Sequence, residues 1–185
     1  YKFINGKVIS SELNLNNFKM LLNYSSKFWN KKKMLKNESR KLLSKFYKIK
    51  TYNRIREYFR NKHKVDKVYV INSIKITIIW NMLEKIDWKW ITNGVMTQFH
   101  GDYHFENILF NKKNKSFTFV DWRQDFQGNL KYGDIYYDLG KLLHGMIVSH
   151  EQVVKKNFYI SRIKNNKIKI HIKTSKNLEK CKEYF

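Results

Sequence analysis

Hydrophobic residues recur every three or four positions along several stretches of this 185-residue chain, and this spacing predicts amphipathic helices. The first stretch covers residues 11–29, and Ser10 or Ser11 is a candidate N-terminal cap because a hydroxyl can accept a free backbone N–H there. The same spacing predicts further helices at residues 42–47, 55–59 and 71–83. In the last of these stretches a run of β-branched residues also allows a strand.

Short strands are predicted in the second half of the chain, where apolar segments lie between turn residues. Residues 95–99 predict a strand, and residues 108–110 and 117–120 flank a polar turn and predict a hairpin. Asp134 is a candidate cap for a helix that follows it. A terminal hairpin is predicted around Asn165 and Asn166. The fold class is therefore α+β, mostly helical, with short hairpins in the second half.

The formal net charge of +23 comes from 38 Lys and Arg residues against 15 acidic residues. Lys exceeds Arg, and there is no Pro, which is typical of a biased composition and argues against a dedicated nucleic-acid surface. The apolar runs are far shorter than a membrane span. No signal peptide is visible, and one Cys cannot form an internal disulfide, so we expect a cytoplasmic protein without a membrane partner.

Acidic residues are concentrated where the rest of the chain is basic. Six of the 15 lie between residues 100 and 138. Within this segment, Asp102 and Asn107 are five positions apart in a predicted loop that opens with His100 and Gly101. An aspartate there can orient a hydroxyl and accept its proton, while the amide oxygen of Asn107 can bind Mg²⁺. The spacing therefore predicts a phosphoryl-transfer loop.

A second carboxylate follows the predicted hairpin. Asp121 ends its second strand, so the hairpin is expected to bring Asp121 and Asn107 to one Mg²⁺ ion, which prefers oxygen ligands. Asp125 either joins that site or pairs with Arg123. The remaining candidates are assigned to support or to substrate contact: His100, Asp134 and Asp138 are expected to anchor the loop, and His104 either contacts the substrate or packs.

The three motifs together resemble the aminoglycoside phosphotransferase and choline kinase family. They are His-Gly-Asp-x-His-x-x-Asn from His100, Val-Asp-Trp around Asp121, and Gly-Asp-x-x-x-Asp-Leu from Gly133. The resemblance implies a protein-kinase-like fold, with Asp102 as catalytic base and Asn107 and Asp121 as Mg²⁺ ligands. It also implies ATP or GTP as phosphoryl donor.

The resemblance extends less specifically to the start of the chain. Residues 1–10 are similar to the hinge that joins the two lobes of that fold, which implies nucleotide contacts from Phe3, Ile4 and Asn5. Residues 11–185 would then form the C-terminal, catalytic lobe. No glycine lies between Gly6 and Gly94, so a Gly-rich loop is absent from this sequence, and the N-terminal lobe is expected upstream.

We therefore expect a small-molecule kinase that moves the γ-phosphoryl group of a nucleotide to a hydroxyl. A sugar, an amino sugar and an amino-alcohol all remain possible acceptors. Two alternatives stay open: a non-catalytic or truncated kinase-like fragment that acts as a binding partner, and a basic nucleic-acid-binding module that uses residues 31–67.

Overall fold

The computed structural model describes residues 5–30, 34–163 and 165–185. Phe3 and Ile4, which the sequence predicts to contact the nucleotide, lie outside these ranges. The helices are α1 (Leu15–Ser25), α2 (Lys36–Leu43), α3 (Lys50–Lys62), α4 (Ile79–Glu84), α5 (Trp88–Ile91), α6 (Ile135–Ile147), α7 (His150–Val154) and α8 (Lys176–Tyr184). A π-helical segment at Ser44–Ile49 connects α2 to α3, and 3₁₀ turns occur at Ile9–Glu12 and Phe105–Asn107.

The strands are short and form three small sheets. They are β1 (Lys7–Val8), β2 (Tyr69–Ile71), β3 (Ile74–Ile76), β4 (Met96–Gln98), β5 (Ile108–Asn111), β6 (Ser116–Phe119), β7 (Tyr132–Asp134), β8 (Phe158–Ile163) and β9 (Lys167–Ile172). The chain combines helices with small, mostly antiparallel sheets, so the α+β prediction is confirmed. Within the described residues, no helix is both long and apolar enough to cross a lipid bilayer.

The chain forms two compact units, each assembled from separated segments. Unit 1 contains Tyr1–Met34, Val95–Lys156 and Thr174–Phe185, and unit 2 contains Leu35–Gly94 and Asn157–Lys173.

Unit 1 combines an antiparallel β1–β5–β6 sheet with the β4–β7 pair. Its apolar core includes side chains of α1, α6 and α8 and of the segment that follows β4. Members of this core that are almost fully excluded from solvent are Ile9, Phe18, Leu21, Tyr103, Phe105, Ile108, Leu142 and Met146. Burial of these large side chains is the main favourable contribution to folding of this unit.

Unit 2 holds a four-stranded sheet in the order β3–β2–β9–β8. Strands β2 and β9 are parallel, whereas β8 and β9 form an antiparallel hairpin. Both Asn165 and Asn166, at its turn, have positive φ angles of 62° and 58°. Asn tolerates this left-handed conformation better than most residues, which is why this turn was predicted from the sequence.

Two predicted elements differ from the structure. Helix α1 is capped by Asn14, whose side chain accepts the N–H of Asn17 at 3.0 Å, so neither Ser10 nor Ser11 is the cap. Residues 71–83 do not form one helix: β2 and β3 make a hairpin, and α4 follows it. Asn72 and Ser73 adopt positive φ angles of 49° and 70° between the strands, a conformation that ends any helix.

Candidate catalytic site

The predicted catalytic loop lies between β4 and β5, and its first residues are fixed by Asp138 of α6. The Asp138 carboxylate accepts the backbone N–H groups of His100 at 2.8 Å and Gly101 at 2.7 Å. It also accepts the indole N–H of Trp29 at 3.0 Å. Burial raises the pKa of Asp138, and these hydrogen bonds act in the opposite direction. A buried carboxylate on α6 therefore connects the segment after α1 with the start of the loop.

Gly101 is required by the turn at the start of the loop. Its φ angle is +80°, and a Cβ atom at this position would lie 2.5 Å from Cβ of Arg123 and 2.7 Å from Cε2 of Phe99. A side chain here would be both conformationally strained and in steric conflict. The close approach is maintained by the N–H of Arg123, which donates to the carbonyl of His100 at 2.9 Å.

Asp134 stabilises the neighbouring strand pair. It is opposite Met96 in the β4–β7 ladder, and its Oδ1 accepts the N–H of Val95 at 2.9 Å. The same oxygen accepts the N–H of Tyr136 at 3.4 Å, so Asp134 caps α6 as the sequence predicted. Asp134 thus fixes the junction of β4 with α6.

His100 is fully buried beneath the loop and is held neutral by its surroundings. Its ring stacks on Trp122 with 4.7 Å between centroids, and its Nδ1 accepts the N–H of Asp102 at 3.2 Å. Burial lowers its pKa from 6.5 to about 4, although the nearby carbonyl of Val120 and carboxylates of Asp102 and Asp121 oppose the shift. Nε2 has no well-aligned hydrogen-bond partner among the described residues.

Asp102 makes polar contacts with three neighbouring side chains. Its Oδ1 lies 2.8 Å from Nζ of Lys141 on α6, and its Oδ2 lies 3.3 Å from Nε2 of His104. The Nδ2 of Asn107 donates to the Asp102 carbonyl at 3.0 Å and to Oδ2 at 3.3 Å. The side chain is still 34% exposed, so a bound molecule can reach it.

These contacts set the protonation state of Asp102. Partial burial would raise its pKa, but the hydrogen bond and charge of Lys141, together with His104, lower it below its ordinary value. Asp102 is therefore a carboxylate at neutral pH, the form that a proton acceptor requires. Sequence reasoning missed Lys141, and its position three residues after Asp138 on a predicted helix was the available signal.

The β5–β6 hairpin brings the segment around Asp121 next to Asn107. Ile108 pairs with Phe119, and the N–H of Val120 donates to the carbonyl of Asn107 at 3.0 Å. Asp121 follows directly, with a positive φ of 57°, and its carboxylate is exposed. The predicted hairpin is confirmed, and it explains how two residues 14 positions apart become neighbours.

The residues present suit a hard divalent cation. Among the described residues, neither Oδ1 of Asn107 nor the carboxylate of Asp121 has a hydrogen-bond or ion-pair partner, so both oxygens are available. Mg²⁺ usually takes one or two protein carboxylates and fills its other positions with phosphate oxygens and waters. No cluster of three His, Cys, Asp or Glu side chains suited to a metal occurs in the described part of the chain.

Asp125 is engaged in a local turn. Its Oδ2 accepts the N–H of Gly128 at 2.6 Å, and its backbone carbonyl accepts Nε–H of Arg123 at 2.7 Å. Arg123 therefore contacts the main chain of Asp125.

A cavity of about 480 Å³ opens beside the loop. Its lining includes Lys141 and His104, and also Glu106, whose Oε2 lies 3.1 Å from Nδ1 of His104. His104 thus bridges Asp102 and Glu106 at the edge of a space large enough for a small molecule.

Asn5, the third predicted nucleotide contact, lies at the far end of β5. Its carbonyl accepts Nδ2–H of Asn111 at 2.9 Å. The strand between Asn107 and Asn111 separates Asn5 from the catalytic loop by about 13 Å at the usual strand rise. The structure therefore does not bring Asn5 together with Asp102.

Comparison with known proteins gives one match. The model of a phosphotransferase enzyme family matches residues 51–156, more than half of the chain, and this range contains the catalytic loop, the β5–β6 hairpin and α6. Comparisons with curated proteins and with solved structures gave no match.

Proposed function

We propose, from the premise that this chain belongs to the phosphotransferase enzyme family, that it transfers the γ-phosphoryl group of ATP or GTP to a hydroxyl of a small molecule. The acceptor class is a sugar, an amino sugar or an amino-alcohol. Membership of the family, which includes the aminoglycoside phosphotransferases and choline kinases that the motifs resemble, supports phosphoryl transfer. The nucleotide, the cation and the acceptor are the parts that we propose.

The observation that carries this proposal is the environment of Asp102. Its carboxylate is ionised, partly exposed and beside a cavity, and Lys141 engages Oδ1. Oδ2 is then the oxygen that accepts the proton of an acceptor hydroxyl. As the hydroxyl oxygen bonds to the γ-phosphorus, the bond from that phosphorus to the bridging oxygen breaks and the nucleoside diphosphate leaves. Because Asp138 and Gly101 fix the loop backbone, the base is held in position before substrate binds.

Asn107 and Asp121 are the residues that we propose to hold Mg²⁺, through Oδ1 and the carboxylate respectively. When bound, the ion supplies positive charge that offsets the charge of the nucleotide phosphates. The same amide of Asn107 also donates to Asp102 through Nδ2. Asn107 would therefore couple the orientation of the base to the cation site.

We further propose that residues 11–185 form the catalytic lobe of a protein-kinase-like fold, with its active centre in unit 1. Supporting this, unit 1 contains all three motifs, and β1 pairs with β5 so that the segment at Asn5–Gly6 runs along the same sheet as the hairpin. A hinge-like role of this segment in nucleotide binding remains part of the proposal.

The test is a transfer assay with the full chain. Labelled γ-phosphoryl from ATP or GTP is followed into pools of sugars, amino sugars and amino-alcohols in the presence of Mg²⁺. Asp102→Asn should reduce transfer by about 10²–10⁴-fold, the usual contribution of a general base. Asp87→Asn is the matched control because Asp87 caps α5 in unit 2, where Asn caps equally well.

Transfer that is unchanged in Asp102→Asn, with native circular dichroism in both variants, would remove Asp102 as the base. Absence of transfer to every pool from either donor would remove the proposed reaction.

A further inference from the structure

Positive charge is unevenly distributed between the two units. Unit 2 holds 20 of the 38 Lys and Arg residues but five of the 15 acidic residues, although it is the smaller unit. Like charges at this density repel one another and oppose folding. A composition bias explains an excess of lysine on solvated surfaces, but it does not explain why cations converge on one concave site.

Such a site is present in unit 2. A cavity of about 430 Å³ lies where the end of α3, strand β2 and the β8–β9 turn meet. Four cationic side chains line it: Lys64, Lys67, Arg162 and Lys167. Two tyrosine rings, Tyr58 and Tyr69, complete the part of the wall that a flat molecule could contact.

Within the part of the chain that the structure describes, ion pairs do not neutralise the cationic charge of this cavity. Among the described residues, no acidic side chain forms an ion pair with any of the four cations. Asp66 also lines the cavity, but its Oδ2 accepts the backbone N–H of Trp80 at 3.2 Å and so caps the start of α4. The lining therefore carries a net charge of +3.

Two tight turns form the cavity before any ligand binds. Helix α3 ends at His63, whose φ of 46° reverses the chain toward Lys64. The β8–β9 turn is fastened to β2 because the N–H of Val70 donates to the carbonyl of Asn166 at 3.1 Å. Hydrogen-bonded walls of this kind reduce the ordering that a ligand must impose.

We propose that this cavity binds the phosphate group of a small phosphate monoester that carries a ring. Arg and Lys side chains form charge-assisted hydrogen bonds to phosphate oxygens, with Arg162 suited to a two-pronged contact. The ring contacts Tyr58 and Tyr69. The volume is within the range of small-molecule sites, and all four cations line this one cavity, whereas sites for nucleic-acid strands follow a groove.

The test is calorimetric titration of the full chain with three probes: phenyl phosphate, inorganic phosphate and phenol. Phenyl phosphate should bind saturably and more tightly than inorganic phosphate, because it supplies both the charge and the ring, and phenol should bind least. The double variant Lys67→Gln/Arg162→Gln should weaken phenyl phosphate binding at least about tenfold, since two charge-assisted hydrogen bonds are lost.

The matched control removes the same charge elsewhere in unit 2. Lys75 and Lys85 are exposed and do not line the cavity, so Lys75→Gln/Lys85→Gln should leave the affinity within about twofold. Equal loss in both double variants would show a non-specific charge effect and overturn the proposal. Absence of phenyl phosphate binding would do the same, as would tight binding of a single-stranded oligonucleotide without any binding of phenyl phosphate.

Discussion

At the scale of single residues, the two carboxylate oxygens of Asp102 have different partners. Lys141 engages Oδ1 at 2.8 Å, whereas Oδ2 is shared by longer contacts from His104 and Asn107. The Lys141 ammonium is itself one-third exposed, so solvent screens the pair and its contribution to stability is small. The larger consequence of the Lys141 contact is that it lowers the pKa of Asp102.

Removing the Lys141 charge should raise the pKa of Asp102. In Lys141→Met the hydrogen bond and the charge of Lys141 are both absent, so His104 alone is left to oppose the effect of partial burial on this pKa. The ¹³C chemical shift of the Asp102 carboxyl, followed from pH 2 to 8, measures the change directly. Lys141→Arg should retain most of the lowering because the charge is preserved.

Lys155→Met is the matched control for this measurement. Lys155 pairs with Glu151 on α7 at 2.5 Å and has no contact with Asp102, so its loss should leave the Asp102 titration unchanged. An Asp102 titration that is the same in Lys141→Met as in the parent chain would contradict the assigned contact.

His100 gives a prediction about stability and pH. Its pKa is about 4 in the folded chain and 6.5 when unfolded, so the unfolded state binds more protons between these values. Stability should therefore be fully present above pH 6.5 and fall as pH drops, by up to about 1.4 kcal/mol for each pH unit until about pH 4. Urea unfolding at pH 7 and pH 5 measures this loss.

Replacing the titrating ring should reduce that dependence. His100→Gln keeps a polar side chain but cannot gain a proton, so its free energy of unfolding should change less between pH 7 and pH 5. The exposed His171 provides the control, because His171→Gln should leave the pH dependence of the parent chain intact. A parent chain equally stable at both pH values would show that His100 is not held neutral by burial.

At the scale of elements, the candidate catalytic loop is a turn that packs closely against β4, α6 and the β5–β6 hairpin. Asp138 of α6 accepts the backbone N–H of His100 in the loop. The N–H of Arg123, in the segment after β6, donates to the carbonyl of His100 on the other side. Gly101 is the residue at which these two restraints leave no space for a side chain. This element depends on steric fit as much as on hydrogen bonding.

Gly101 and Gly128 form a matched pair that separates steric conflict from backbone strain. Both have positive φ, +80° and +85°, but a Cβ at Gly128 would meet no atom within 4 Å. Gly128→Ala should therefore cost about 1 kcal/mol from conformation. Gly101→Ala should cost at least about 2 kcal/mol more, because Arg123 and Phe99 must also move.

Chemical denaturation of the two alanine variants provides the comparison. Equal losses of unfolding free energy would mean that the loop can relax around a methyl group, and the close packing described at Gly101 would then be wrong.

At the scale of the whole molecule, local sequence patterns were sufficient to predict the elements that position the candidate site residues. The β5–β6 hairpin follows from two apolar runs around a polar turn, which Asn111 stabilises by accepting the N–H groups of Lys113 and Asn114 at 3.0 and 3.2 Å. The cap at Asp134 likewise depends on neighbouring residues. These elements can be predicted from neighbouring residues alone.

Other features depended on contacts between distant segments and could not be predicted in this way. Lys141 meets Asp102 across 39 residues, and although its spacing from Asp138 places both on one predicted helix, no local pattern pairs Lys141 with Asp102. The parallel pairing of β2 with β9 joins segments about a hundred residues apart, so unit 2 was not visible as a unit. The helix expected over residues 71–83 is interrupted because residues 74–76 pair with β2, in the strand conformation that the β-branched run also allowed.

The central claim is that Asn107 and Asp121 hold one divalent cation beside Asp102, and paramagnetic NMR of the full chain tests it most directly. Titration with Mn²⁺ and ATP should first broaden the backbone amide signals of residues 102, 107 and 121, and Asp121→Asn should strongly reduce this broadening. Early broadening confined to other parts of the chain, or broadening unaffected by Asp121→Asn, would contradict the claim.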